Sequence, residues 1–376
     1  MPKNRKLRIA QVAPLWITVP PKKYGGIERI VASLTNNLTK RGHEVTLFAA
    51  SGSKTLAKKL VSVYPKPLLE AGISWSDNFW NLKNLETAYE MADRGKFDIV
   101  HTHLDIWSLF FYRLVNVPSI HTMHNPILSP EHIAAKLKNK KNGMKVNGAL
   151  KESTRHAIYA SVKNDFNIAF ISKKAEELSG IKFKHSEVVY NGINMDELKL
   201  NKKPKDHFIW VARIDKYKGI ENAIKIARRA GVKLKLAGRL DKSNVKYFKK
   251  VIKPKLKQGI EFVGELERRQ MSKFYREAKA LLYPIEWEEP FGLVVTEAMA
   301  CGTPVIAFNR GSMSELIEDG KTGFVVNNIR EAVSVVKKLD TLDREYIREY
   351  TDQHFSDEVM VDNYEKLYFD LVNSKR

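Results

Sequence analysis

Short apolar runs alternate with helical patterns along nearly the whole chain, and that alternation leaves few folds open. The runs at 7–13, 44–50, 97–102, 119–123, 167–172 and 187–190, and again at 207–213, 232–237, 260–263, 280–284, 303–308 and 323–326, read as strands. Each is short, apolar and mostly bounded by Gly, Pro, Asn or Asp. Strands that are apolar nearly throughout, with helices between them, imply parallel sheets covered on both faces. The fold class expected is α/β and doubly wound.

An internal echo points to two such sheets. "GGIERIVASLTNNLTKRGHEVTLFAAS" runs loop, helix, glycine stop, strand, and "KGIENAIKIARRAGVKLKLAGR" does the same. Gly26, Ile27 and Glu28 correspond to Gly219, Ile220 and Glu221, and the stopping glycines are Gly42 and Gly231. The polar, basic, proline-containing segment 199–207, "KLNKKPKDH", reads as a linker between the halves. The expected domains are 1–195 and 205–354. The stretch 134–157 reads as a basic loop near 137–148 and then a helix.

A chain of 376 residues is long enough for two domains of ordinary size, and with 43% hydrophobic residues it can bury cores in both. No run of about 18 apolar residues is present to span a bilayer. The start, "MPKNRKLRIAQVAP", reads as a first strand and not as a signal peptide. The single cysteine, Cys301, excludes an internal disulfide framework, and a cytoplasmic enzyme is the simple reading. The net charge of +21 concerns partners, not fold. It fits nucleic acid, an anionic membrane surface or phosphorylated small molecules, or only a lysine-rich proteome. No zinc-finger spacing, RNA-binding signature or basic zipper supports the first.

Four stretches carry chemistry. Tyr24, Gly25 and Gly26 lead from the first strand into a helix, where free N–H groups and the helix dipole suit an anion; an ordinary glycine turn reads the same way. Arg213 and Lys218, in "VARIDKYKGIEN", lie beyond the end of a strand, where open α/β sheets bind ligands, and could clamp a pyrophosphate. His101, His103, His121 and His124 end two strands. They admit a metal site, or three packing residues with a fourth facing a ligand.

The last stretch is "EEPFGLVVTEAMACGTPV", residues 288–305. Pro290 and Gly292 break the preceding structure, and a helix runs from near Leu293 to Gly302. Glu289 then precedes the helix, and Glu297 lies more than one turn inside it. The backbone of Phe291, Gly292 and Leu293 offers a second anion site. Two carboxylates at different depths could hold a ribose and a hexose through vicinal hydroxyls. The competing reading, a solvated Glu297, meets a helix with almost no polar face.

These motifs, taken in order, resemble the retaining glycosyltransferases of family 4. "EPFGLVVTEAMACGTPV" is similar to that family's E-x7-E signature, "YGGIERIV" to its first glycine loop, "VVYNGIN" to its hinge, and "VARIDKYKG" to its phosphate clamp. "GSMSELIEDGKTGFVV" is similar to the segment that follows the signature, and 355–376 to the C-terminal helix. The resemblance implies a GT-B fold: two Rossmann-like domains facing each other across a cleft, an N-terminal acceptor domain, a C-terminal nucleotide-sugar domain, and a last helix crossing back to the N-terminal domain. It implies that Gly26 meets the donor phosphate, that Arg213 and Lys218 neutralise the pyrophosphate, and that Glu297 binds the ribose. Glu289 binds the donor sugar with backbone help from Phe291, Gly292 and Leu293. His124 lies near the reacting sugar and Leu266 beside the base.

The implied reaction moves a hexose, with a uridine diphosphate hexose expected as donor, to a hydroxyl of a glycan, lipid or small molecule, with retention. It needs no metal and no cofactor beyond the nucleotide-sugar co-substrate. The acceptor is not named by the sequence; the Pro-rich segment from Trp16 to Tyr24 is the candidate region. The basic stretch 136–145 fits either an anionic membrane surface, with the protein peripheral at its inner face, or a solvated loop. The other class of reading is a catalytically silent protein that binds nucleotide sugars or nucleic acid.

Overall fold

The structure is a computed structural model and describes residues 5–23, 25–138 and 146–374. Tyr24, residues 139–145 of the basic stretch and residues 375–376 of the expected last helix lie outside the described residues. The chain divides into two compact units, residues 1–192 with 357–376, and residues 193–356.

The first unit holds strands β1 (Arg8–Val12), β2 (Glu44–Phe48), β3 (Lys59–Val61), β4 (Ile99–Thr102), β5 (Ser119–Met123), β6 (Asn167–Phe170) and β7 (His185–Val188). Their order is β3-β2-β1-β4-β5-β6-β7, and every pairing is parallel. β1, β4, β5 and β6 are almost wholly buried, as near-continuous apolar strings require of a sheet covered on both faces. β3 was not expected: it is a three-residue edge strand, too short and too exposed to give a pattern.

The second unit holds β8 (Phe208–Val211), β9 (Leu234–Ala237), β10 (Ile260–Gly264), β11 (Ala280–Tyr283), β12 (Val305–Phe308) and β13 (Gly323–Val326), in the order β10-β9-β8-β11-β12-β13 and again all parallel. Its core gathers Phe208, Trp210, Leu234, Leu236, Leu282 and Ile306. The two echoing helices, Gly26–Lys40 and Ile220–Ala230, each follow the strand at which their sheet reverses.

Segment 199–207, expected as a linker, belongs to the second unit. The Lys205 N–H donates to Glu277 O at 2.7 Å, and Asn201 Nδ2 donates to Arg276 O at 3.0 Å. The polar composition there reflects backbone and amide bonding to a neighbouring helix end, not a free tether.

The helix Asp357–Ser374 belongs to the first unit. It buries Met360, Val361, Tyr364 and Tyr368. Asp357 Oδ2 accepts from Ser33 Oγ at 2.8 Å and Asn37 Nδ2 at 3.0 Å, and Arg41 pairs with Glu358 and Glu365 at 2.6 and 2.8 Å.

Candidate functional site

In the second sheet the strand order reverses between β8 and β11, which opens a crevice beyond their carboxyl ends. Arg213 and Lys218 leave the end of β8, and residues 284–292 leave the end of β11. Lys218 ends a tight turn, Lys216–Lys218, whose start is capped by Asp215 accepting from the Tyr217 N–H at 2.9 Å. The buried Trp210 donates through Nε1 to the Lys218 carbonyl at 3.0 Å. Gly219 follows at φ +75°, and a Cβ there would stand 2.0 Å from Pro284 O. Only glycine lets the two loops touch, and that contact sets Lys218 beside the β11 loop.

Glu289 is buried at 8% exposure and is held by one oxygen. Its Oε2 accepts from Lys218 Nζ at 2.9 Å, Tyr283 OH at 2.8 Å and Trp287 Nε1 at 2.9 Å. Lys218 Nζ also lies 4.1 Å from the centroid of the Trp287 ring, a cation–π contact. Among the described residues no group bonds Oε1, so this carboxylate keeps one oxygen able to accept from a hydroxyl. From the far side, the Gly311 N–H donates to Glu288 Oε2 at 2.7 Å and the Ser312 N–H to Glu289 O at 3.0 Å.

The helix Leu293–Ala300 begins at Gly292 and is apolar on nearly every face, so it is buried. Glu297 on it is 2% exposed. Its Oε1 accepts from Arg268 Nη1 at 2.7 Å and its Oε2 from Tyr275 OH at 2.9 Å. Burial works against the charge of Arg268, but Glu297 and Glu197 outweigh it and raise that guanidinium's pKa above its usual value. Glu297 is therefore not a solvated residue of an outer face. Phe291 is buried against Phe355, with ring centroids 6.0 Å apart, and its carbonyl accepts from Ser312 Oγ. Leu266 is partly exposed in the loop between β10 and the helix Arg268–Glu277.

Arg213 keeps its guanidinium in reserve. Its Nε is buried without a hydrogen-bond partner, and Asp215 and Asp241 stand 3.9 and 3.8 Å away, beyond hydrogen-bond reach. Arg239, which leaves β9 as Arg213 leaves β8, pairs with Asp241, its Nη2 donating to Oδ2 at 3.2 Å. Sequence reasoning missed Arg239, Arg268, Tyr275, Tyr283 and Trp287. For Arg239 a signal existed, a basic residue directly after "KLKLAG"; the other four are joined to the glutamates only by folding.

Gly26 and His124 belong to the first unit. Gly26 opens its helix after Gly25, an N-cap with no side-chain cap bond. Trp16 is buried and packs on Trp75, with ring centroids 4.9 Å apart. The four histidines lie at and beside the reversal of the first sheet, between β1 and β4. His121 stacks on Phe166 at 4.0 Å and bonds Thr102 and Ser119. His101 bonds Tyr368 and Thr122, while His103 bonds Gln11 and His124. Burial pushes His121 down to about 3 and His124 to about 4, and holds His101 and His103 well below the usual imidazole range. Among the described residues no group of three or more His, Cys, Asp or Glu is arranged to hold a metal ion. Apart from His124 Nδ1, the nitrogens of these four histidines are spent on hydroxyls, an amide and each other.

Comparison with known proteins covers both units. Residues 24–197 match the model of Glycosyltransferase Family 4, and residues 194–352 that of Glycosyl transferases group 1. An uncharacterised 41.2 kDa protein in the cps region of Klebsiella pneumoniae is 25% identical over 92% of this chain and 96% of its own. The D-inositol 3-phosphate glycosyltransferase of Arthrobacter sp. (strain FB24) is 25% identical over 82% of this chain and 79% of its own. Among solved structures, sucrose-phosphate synthase from Thermosynechococcus elongatus superposes with a TM-score of 0.78 at 19% identity, covering 98% of this chain and all of that one. Anabaena HepE in complex with UDP and glucose gives 0.70 at 17% identity, covering 97% of this chain and all of that one.

Proposed function

We propose, from the premise that the chain is a glycosyltransferase of GT-B type, that it moves a hexose from a nucleoside-diphosphate sugar to an acceptor hydroxyl and retains the anomeric configuration. The observation that carries this reading is Glu289, a buried carboxylate tied through Oε2 to Lys218, Tyr283 and Trp287 and keeping Oε1 for a hydroxyl. Oε1 accepts from the transferred sugar. Glu297, one helix segment further, accepts from the ribose. Leu266 packs beside the base, and the N–H groups of Gly26, Phe291, Gly292 and Leu293 approach the phosphates.

The chemistry follows the charge. The bond between the sugar C1 and the β-phosphate oxygen breaks, and its electron pair stays on the nucleoside diphosphate. The acceptor oxygen bonds C1 on the same face, and its proton passes to the departing phosphate. Arg213, Lys218 and Arg239 neutralise the charge that grows on the leaving group, which is the stabilisation such a reaction needs most. Three protein cations supply it without a metal ion. His124 stands at the reacting sugar. The uridine donor is proposed by analogy with HepE, bound to UDP and glucose.

The N-terminal unit takes the acceptor, with Trp16 to Tyr24 as the candidate region. No helix among the described residues is long and apolar enough to cross a membrane. We place the enzyme in the cytoplasm, touching an anionic membrane face through the basic stretch 136–145, which includes the exposed Leu137 and is followed by the exposed Val146 and Leu150.

A thermal-shift panel of nucleotide sugars tests the reading, with Arg213→Ala and Glu297→Ala as controls. A donor at about 100 times its dissociation constant adds roughly 2.7 kcal/mol of stability. A shift with one donor, lost in both variants, is the expected result. No shift with any donor, beside salt-sensitive binding to nucleic acid, would overturn it.

A further inference from the structure

The first sheet carries a buried run of side chains that ends at His124. Gln11 sits on β1 directly opposite His101 on β4, and both are fully buried. The Gln11 amide donates through Nε2 to Tyr368 OH at 2.9 Å, so its Oε1 faces His103 Nε2 at 3.0 Å. His103 Nδ1 lies 2.9 Å from His124 Nε2, and the two rings stack with centroids 5.2 Å apart. Behind them, Tyr368 OH meets His101 Nδ1 at 2.6 Å, and His101 Nε2 meets Thr122 Oγ1 at 2.7 Å.

Each bond constrains the next. An amide oxygen only accepts, so His103 must carry its hydrogen on Nε2. Burial keeps His103 neutral, so its Nδ1 is bare and must accept. His124 must then carry its hydrogen on Nε2 and donate it inward. Its Nδ1 is left with a lone pair, and among the described residues no group bonds it. His124 is itself partly exposed, the one ring of the four that is not fully enclosed.

We propose that Gln11, His103 and Tyr368 are positioning residues that hold His124 as the Nε2–H tautomer, so that Nδ1 accepts a hydrogen bond from a substrate hydroxyl. This rests on the transferase reading above. An accepting nitrogen selects for a hydroxyl and against a phosphate oxygen, which also only accepts. It also gives the helix Asp357–Ser374 a part in the chemistry, because Tyr368 supplies the hydroxyl that the Gln11 amide bonds. The run has one alternative, with the amide turned over and every hydrogen reversed; the other His124 nitrogen would then carry the hydrogen.

Nitrogen-15 spectra of the histidine side chains of the full chain at neutral pH separate the two, with the His124 signals identified by their loss in His124→Gln. The expected spectrum has a protonated Nε2 and a bare Nδ1. In Tyr368→Phe the two His124 nitrogens should move toward each other as the tautomers mix. The transfer kcat should then fall about tenfold, the worth of one neutral hydrogen bond, with donor KM changed less than about twofold. Gln11→Met is the second variant and should act alike should Tyr368→Phe not fold. A wild-type spectrum with hydrogen on Nδ1, or a tautomer that neither variant moves, would overturn the proposal. A spectrum as expected from a protein that no nucleotide sugar stabilises would instead remove the transferase reading and the substrate hydroxyl with it, leaving only the ring assignment.

Discussion

Lys218 Nζ and Glu289 Oε2 are bonded at 2.9 Å, so the cation proposed for the leaving group and the carboxylate proposed for the sugar are each other's partner. The pair is largely buried, at 19% and 11% side-chain exposure. Lys218→Ala should lower kcat by about 10²–10³-fold, the cost of losing one aimed charge. In a double-mutant cycle with Glu289→Gln, the coupling in kcat/KM should reach about 1–3 kcal/mol. A coupling near zero would mean that the two act separately.

Arg268 should matter to folding as much as to binding. Glu297 is 2% exposed and bonded to both Arg268 and Tyr275. Arg268→Met removes the charge partner and should cost about 3 kcal/mol, as breaking a buried pair does. Adding Glu297→Leu should recover much of that stability in urea unfolding while abolishing donor binding. Full stability in Arg268→Met alone would show the pair to be incidental.

Two glycines with similar backbone angles should respond differently to alanine. Gly311 has φ +57°, and a Cβ there would stand 2.1 Å from Glu289 O. Gly320 has φ +77° with open space around it. Gly320→Ala should cost only about 1 kcal/mol of backbone strain. Gly311→Ala must in addition push away the Glu289 backbone, so transfer activity should fall sharply in that variant alone.

Acid should unfold the first unit early. His101, His103, His121 and His124 titrate well below 6.5 when folded, with His124 near 4 and His121 near 3. Below about pH 6.5 the unfolded chain binds protons that the folded chain refuses, so stability falls as pH falls. Glu28, buried and raised to about 7, works in the opposite sense: the folded state holds its proton between its ordinary value of 4.5 and 7. Four histidines against one glutamate leave about three protons, or ~4 kcal/mol per pH unit at the steepest. Urea midpoints between pH 7 and 5 measure this directly; a flat profile would contradict the burial of these rings.

What was legible in the sequence follows from what a local pattern can encode. Strand after strand could be read because a sheet covered on both faces needs strings that are mostly apolar. Glu297 stood out for the same reason: its helix offers no wet face on which a charge could rest. Arg213 and Lys218 were visible because they end a strand. Glu289's other partners were not, because Tyr283 and Trp287 have ordinary places in "ALLYPIEW" and meet the carboxylate only once the loop has turned. Gln11 is one polar letter in an apolar strand, and nothing near it announces Tyr368, 357 residues away. The β3 strand and the docking of 199–207 fail on the same ground: edge strands and backbone-bonded loops are set by neighbours, not by period.

The return of the last helix to the first unit has a consequence for synthesis. The second unit is one uninterrupted stretch whose two ends, Ile193 and Ser356, are joined by a β-bridge. It is complete before the ribosome reaches residue 357. The first unit, begun earlier, must wait with Tyr364, Tyr368 and Val361 missing from its interior until the final turns emerge. Of the two units, the half begun first is closed after the other, and a nascent chain stopped at residue 356 would carry a whole second unit and an open first one.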